Sequence, residues 1–322
     1  MNRLAIVIPA YKATYLARTL RSIREQHASG FAVYVGDDCS PEDLERICRP
    51  FAAGMPLHYH RFPENLGRTA IVDQWKRCVA LTAEPWVWFF SDDDVMEPGC
   101  ITAFFEALRA GEGACDVYRF NTRWIDKDDH VIRENAPWPP YQDALDFVRQ
   151  KLRLERMSTA CEYVFSRGAY AREGGFVDFP LAWCSDDATW AALAGDKGIC
   201  TLAGPRVRWR LSGANLSTGN SRFKREKVDA LLQYFAWLND RYGHRFSPSA
   251  LPEFYAEQRN FLFQQLRELR TFFGPGEYFT LGRAARRLWH APPGPVLRYL
   301  NELNRTRLGK KYRSLHQYLT SR

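Results

Sequence analysis

The sequence predicts an α/β fold: a mainly parallel, doubly wound sheet followed by a helical C-terminal extension. Three observations carry that expectation. Short apolar runs alternate with helical patterns from residue 4 to residue 90, the rhythm of strand–helix–strand units. The runs are continuous rather than alternating in hydrophobicity, as strands buried on both faces are. Each run ends in polar or acidic residues, at the edge where open parallel sheets bind ligands.

Leu4 to Pro9 (LAIVIP) is the first strand, and the helix after it sets Leu16, Leu20 and Ile23 on one face. Phe31 to Val35 is the second strand and ends in Gly36, Asp37 and Asp38; Pro41 opens the second helix. Leu57 to Phe62 is the third strand, Ala70 to Leu81 the third helix, and Trp86 to Phe90 the fourth strand. Beyond residue 115 the pattern loosens. Val117 to Trp124 and Val131 to Arg133 read as strands around the polar turn Asp126 to Asp129. Gly174-Gly175 breaks the chain before a helix near Asp186 to Leu193, and two short strands follow at Ile199–Leu202 and Arg206–Leu211. From about Ser221 the chain is helical and aromatic, with Leu231, Leu232, Phe235 and Leu238 spaced for one packed face. These shifts divide the chain into residues 1–220, with halves 1–114 and 115–220, and a helical basic region 221–322.

The 322 residues are 46% hydrophobic and 14% aromatic, which excludes a disordered chain. No apolar run approaches the roughly 20 residues of a membrane span, and Leu4 to Pro9 is too short for a signal peptide. The eight cysteines show no C-x-x-C pair, so they read as reduced thiols of a cytosolic protein, although an even count also permits disulfides. The net charge of +8 is uneven: after residue 281 many arginines and lysines face a single acid, Glu302. Such an end favours a phosphate-rich partner, either nucleic acid or an anionic membrane surface.

FFSDDDVMEP, residues 89–98, holds the chemistry. Asp92, Asp93 and Asp94 at a strand end repel one another unless a cation joins them. A helix-capping turn is one reading; a site for a hard cation, Mg²⁺ or Mn²⁺, with carboxylate, phosphate and water ligands is the other.

Several motifs in order resemble the nucleotide-sugar half of family-two inverting glycosyltransferases of the GT-A fold: IVIPAYKA, VYVGDDCS, PENLGRTA, and FFSDDDVMEP in place of that family's Asp-x-Asp motif. Gly174-Gly175-Phe176, SDDATW, and WRLSGANLS (Trp209 to Ser217) resemble its later segments. The resemblance implies a nucleotide-diphosphate sugar as donor, with uridine diphosphate as nucleotide, and a glycan or lipid-linked hydroxyl as acceptor. Asp93 and Asp94 would hold the metal and Asp92 would lie nearer the ribose; Ser91 stands where the family's first Asp usually is. Pro9, Ala10 and Tyr11 would frame the base pocket, Asp38 would meet the base edge ahead of Asp37, and Asn65, Gly67 and Arg68 would form the next loop. Asp187 would be the catalytic base, supported by Asp186, with Trp183 against an acceptor sugar. Arg210 would meet the diphosphate, with residues 212–215 closing over the donor. The same acids also suit the start of a helix.

The basic end, with Leu281, Leu288, Trp289, Val296, Leu297, Tyr299, Leu300 and Leu303 among its arginines, fits either an amphipathic helix in a bilayer interface or a packed bundle with a solvated basic face. With the resemblance in view, the expectation is a cytoplasmic enzyme of surface-polysaccharide synthesis, peripheral on the inner membrane and without a nucleic-acid partner. The rival readings are a sugar nucleotidyltransferase, whose Gly-rich phosphate loop Ala10-Tyr11-Lys12-Ala13 does not supply, and a non-catalytic membrane- or nucleic-acid-binding protein.

Overall fold

The computed structural model describes residues 3–111, 114–213 and 223–320, with residues 308–320 as backbone only. The chain forms two compact units, Met1–Asn215 and Leu216–Arg322.

Unit one opens as the periodicity predicts, with β1 (Leu4–Ala10), α1 (Ala13–Arg24) and β2 (Phe31–Asp37). Helix α2 (Leu44–Ala52) starts later than Pro41, because Asp43 accepts the backbone N–H of Arg46 and fixes the first turn there. Next come β3 (Leu57–Arg61), α3 (Ile71–Val79), β4 (Trp86–Phe89), the two-residue β5 (Val95–Met96) and α4 (Cys100–Ala110). Strands β6 (Val117–Ile125) and β7 (Val131–Glu134) flank the polar turn at 126–129. The rest of the unit is β8 (Tyr141–Gln142), α5 (Ala144–Leu152), β9 (Tyr163–Ser166), α6 (Arg167–Arg172), α7 (Ser185–Ala194) and β10 (Ile199–Arg210).

The sheet runs β3-β2-β1-β4-β9-β6-β10-β5, with β7 beside β6 and β8 beside β10. Strands β3, β2, β1 and β4 are parallel, while β9 runs antiparallel to both β4 and β6. Strand β9 has three consecutive buried residues, Tyr163 to Phe165, and no alternation, so its sequence carries no strand period. The two short strands expected at 199–211 are one strand: Gly204 (φ +93°) and Pro205 interrupt the ladder between Leu202 and Val207 without ending it. The edge strand β3 carries His58, His60 and Arg61 on exposed positions, which discourages pairing with another chain.

One expectation is corrected here. The cysteines are not all reduced, since Cys115 and Cys200 form a disulfide across the β6–β10 pairing, with Cα atoms 6.1 Å apart. The partners are 85 residues apart in sequence, a separation that spacing rules do not detect. The cysteine argument for a reducing compartment therefore falls away.

Unit two comprises α8 (Lys224–Tyr242), α9 (Leu251–Glu268), α10 (Pro275–Trp289) and α11 (Gly294–Thr320). Phe235, Leu238, Phe254, Leu262, Leu281 and Leu300 are its fully enclosed centre. A buried polar chain crosses it: Trp289 Nε1–H donates to Gln258, Gln258 to Asn239 and Asn239 to the Leu288 carbonyl, at 2.7, 2.7 and 2.8 Å. Gln258→Leu keeps the volume but strands the Trp289 donor and the Asn239 acceptor. We expect a loss of about 2–4 kcal/mol, read as a lower urea midpoint at unchanged m-value; an unchanged midpoint would contradict the chain's role.

Candidate active site

The carboxyl edge of the parallel strands is where the expected residues meet. Asp92 Oδ2 accepts the backbone N–H groups of Tyr11 and Lys12 at 2.9 and 3.0 Å, tying the end of β4 to the end of β1. Burial pushes the Asp92 carboxyl up, and those two N–H bonds oppose it. Asp94 turns inward, 1% exposed, and its Oδ1 accepts the Arg210 N–H at 2.7 Å. Burial pushes it up to about 6. Asp93 stays half-exposed, and no donor among the described residues engages its carboxylate. Burial, then the charges of Asp94 and Asp92, push it up to about 8. A carboxylate so disfavoured as an anion is relieved by a cation, so Asp93 fits a divalent ion. Asp94, the second expected ligand, faces inward: Oδ1 supports β10, while Oδ2 is buried without a hydrogen-bond partner among the described residues.

Asp38 also belongs chiefly to the fold. Its carboxylate accepts the N–H groups of Leu66 and Gly67 at 2.8 and 2.7 Å and the Arg77 guanidinium at 2.6 Å. A base edge would have to share it. Asn65 staples the same loop, donating to the Asp38 carbonyl and accepting the Arg68 N–H. Gly67 is required by close approach, because a Cβ there would lie 2.5 Å from Asp38 Oδ2. Arg68 is exposed. Asp37 is fully buried and held by Tyr59, Arg61 and the Ser40 N–H. Pro9 is half-buried and Tyr11 is 42% exposed, while the side chain of Ala10 lies in the core and cannot wall a base pocket.

Arg210 departs most from expectation. Expected to meet the diphosphate, it is fully buried. Its guanidinium donates to the carbonyls of Asp93 and Asp126 at 2.7 and 2.8 Å, pairs with Asp129, and lies 4.3 Å from the Tyr15 ring centroid. It ties the aspartate turn to the β6–β7 turn. Residues 214–217 of the WRLSGANLS motif lie outside the described residues.

Asp126, Asp128 and His130, on that β6–β7 turn, also come within 4.8 Å of one another as an exposed group that could hold a metal ion. Asp126 accepts the N–H groups of Asp128 and His130, which accounts for the cluster as turn chemistry.

The second acidic pair opens α7. Asp187 is 8% exposed, with Oδ2 3.2 Å from Lys151 Nζ. Its Oδ1 is buried without a hydrogen-bond partner among the described residues. Asp186 is more open; burial, then the neighbouring Asp187 charge, push it up to about 7. Trp183 is half-buried and sits among Leu181, Ala182 and Cys184, all at positive φ (59°, 53° and 63°). Three strained residues beside a carboxylate pair mark a segment held by its surroundings.

Sequence reading missed Lys151 and Glu162. Lys151 shares a face of α5 with buried Phe147 and Val148, and a lysine on an apolar face is itself a signal of a buried partner. Glu162 lies in the 3-10 turn Ala160–Glu162, where burial pushes it up to about 8 against the hydrogen bonds of Thr159. That turn is the seam between the two acidic groups, since Cys161 feels Asp94 and Lys151 feels Glu162.

Arg210→Met should cost about 3–5 kcal/mol of stability by stripping buried partners of their cation, read by chemical denaturation. Unchanged stability with weakened UDP binding would return the side chain to the donor site.

The profile of glycosyl transferase family 2 matches residues 5–167, just over half of the chain. No curated protein sequence matches it. Among solved structures, S. aureus TarS 1–349 superposes with a TM-score of 0.68 at 14% identity, over 98% of this chain and 92% of that one. The same fragment in complex with UDP-GlcNAc superposes with a TM-score of 0.58 at 12% identity, over the same shares. A further TarS crystal structure gives 0.63 at 13% identity, covering 95% of this chain and 54% of that one. Identity this low speaks for the fold alone, and the fold is GT-A. With a mainly parallel sheet that ends in this aspartate turn, and with the family profile spanning it, the chain belongs to glycosyl transferase family 2 and is a glycosyltransferase.

Proposed function

We propose that the enzyme transfers a sugar from a uridine-diphosphate donor to a hydroxyl of a glycan or lipid-linked acceptor, with inversion at the anomeric carbon, in surface-polysaccharide synthesis. The observation that carries this is the aspartate turn: Asp92 Oδ2 and Asp94 Oδ1 accept backbone donors, and Asp93 is left half-exposed at the strand edge. The TarS fragment has been crystallised with UDP and with UDP-GlcNAc, which supports a donor of that class here.

Asp93 would hold Mn²⁺ or Mg²⁺, which when bound neutralises charge growing on the departing diphosphate. Asp92 fixes the Tyr11–Lys12 backbone beside it, and Tyr11 offers an exposed ring to the base. Asp187 takes the proton of the attacking hydroxyl from the opposite side, with Asp186 beside it and Trp183 against the acceptor. Residues 1–220 would form the catalytic domain.

The phosphate-rich partner of the basic end is best read as an anionic membrane on the cytoplasmic side, although the mode differs from that first expected. Leu281, Leu288, Trp289, Val296 and Leu300 are buried in unit two, so the apolar stripe is not available to a bilayer. The outer face of α10 carries Phe279, 67% exposed, with Arg283, Arg286 and Arg287. The guanidinium of Arg283 lies 5.6 Å from the Phe279 ring. No helix among the described residues is long and apolar enough to cross a membrane. This surface contact supports peripheral attachment worth about 1 kcal/mol per basic residue.

Two outcomes test these readings. Asp93→Ala should abolish Mn²⁺-dependent UDP binding in calorimetry, and equal affinity with and without the substitution would remove Asp93 from the site. Reversing Arg283, Arg286 and Arg287 to Glu should weaken sedimentation with phosphatidylserine vesicles by about 100-fold or more, three residues at about 1 kcal/mol each. Undiminished binding would leave α10 as a solvated face.

A further inference from the structure

We infer that Lys151 is the positioning residue of the base: its ammonium holds Oδ2 of Asp187 and leaves Oδ1 as the atom that receives the acceptor's proton. The inference rests on the reading of Asp187 as base and adds a residue and an atom to it.

The geometry sets the two oxygens of one carboxylate apart. Oδ2 lies 3.2 Å from Nζ in a pair whose side chains are only 11% and 12% exposed. Oδ1 is buried with no hydrogen-bond partner among the described residues, an expensive condition for a carboxylate oxygen. An ion pair at Oδ2 stabilises the anion without occupying the second oxygen, which suits a base that must stay ionised in a dry site. Burial works against the charge on Lys151, but the carboxylates of Asp187 and Asp186 outweigh it and raise the ammonium.

Among the described residues one carboxylate competes for the ammonium, and no second ion pair forms at Asp187. Glu162, in the 3-10 turn, is pushed up to about 8 by burial, and its charge ranks behind those of Asp187 and Asp186 among the groups that raise the ammonium. Arg119 on β6 spends its guanidinium on Gln142, on Thr201 and over the Trp138 ring. Tyr163 and Cys184 are both raised well above their usual range by burial, and neither carries charge here.

In the step itself the acceptor O–H bond breaks and its proton passes to Oδ1. The oxygen's electron pair forms the bond to the anomeric carbon, and the bond from that carbon to the diphosphate breaks, its pair leaving with UDP. Lys151 touches neither substrate nor the reacting atoms.

The test is the pH profile of UDP release from a panel of UDP-sugars, with water as acceptor and Mn²⁺ present. In Lys151→Met the carboxylate pair loses its cation and ionises less readily. The acid limb of the kcat profile should then move to higher pH by about one to three units, with activity recovering on the alkaline side. UDP affinity should stay unchanged and Lys151→Arg should restore the limb. Lys151→Gln, which keeps a donor without charge, carries the same comparison should the Met variant not fold. A fall in kcat that is equal at every pH, with the limb unmoved, would overturn the inference. Asp187→Asn tests the reading beneath it: release retained there removes the base itself, whereas release lost there with an unmoved limb in the Lys151 variants removes only Lys151. Absence of release by the wild type from every member of the panel would contradict the donor reading instead.

Discussion

Three consecutive carboxylates at the end of a buried strand repel one another, and the fold resolves that repulsion by giving each a different fate. Asp92 is bound by two backbone N–H groups at the start of the β1–α1 connection. Asp94 is bound by the backbone of β10. Arg210, buried beneath them, donates to the Asp93 carbonyl and joins the turn to the hairpin at 126–129. What is left is one half-exposed carboxylate, Asp93, pushed up by burial and by its neighbours. Strand order follows the same logic, since β1, β4 and β10 must all deliver their ends to this turn.

The same physical device recurs at the second acidic pair. Asp187 is committed through one oxygen to Lys151, while Asp186 is raised by burial and by its neighbour's charge. At the first cluster the division is between residues, and at the second it is between the two oxygens of Asp187, one paired with Lys151 and the other left without a partner among the described residues. The segment 181–184, with three residues at positive φ, leads directly into the acidic pair of α7.

Much of this was legible in the sequence, though unevenly. The first four strands were, because doubly buried strands appear as unbroken apolar runs. The aspartate turn, the acidic pair of α7 and the family resemblance were legible from local motifs. The failures share one cause, which is that local pattern does not report long-range partners. Arg210 reads as exposed or ligand-binding until its partners 81 to 117 residues earlier are known. Asp38 reads as a ligand contact until Leu66, Gly67 and Arg77 close on it. Cys115 and Cys200 pair only because β6 and β10 are neighbours. Lys151 did carry a local signal, a charge on the apolar face of α5, and a stricter reading of that face would have found it.

The central claim is that the open carboxylate of the aspartate turn holds the cation that meets the diphosphate. The most direct measurement is an anomalous difference map from crystals grown with Mn²⁺ and UDP. The account predicts a manganese peak about 2 Å from an oxygen of Asp93, bridging to the diphosphate. A peak at Asp126, Asp128 and His130 instead, with Asp93 bare, would contradict it.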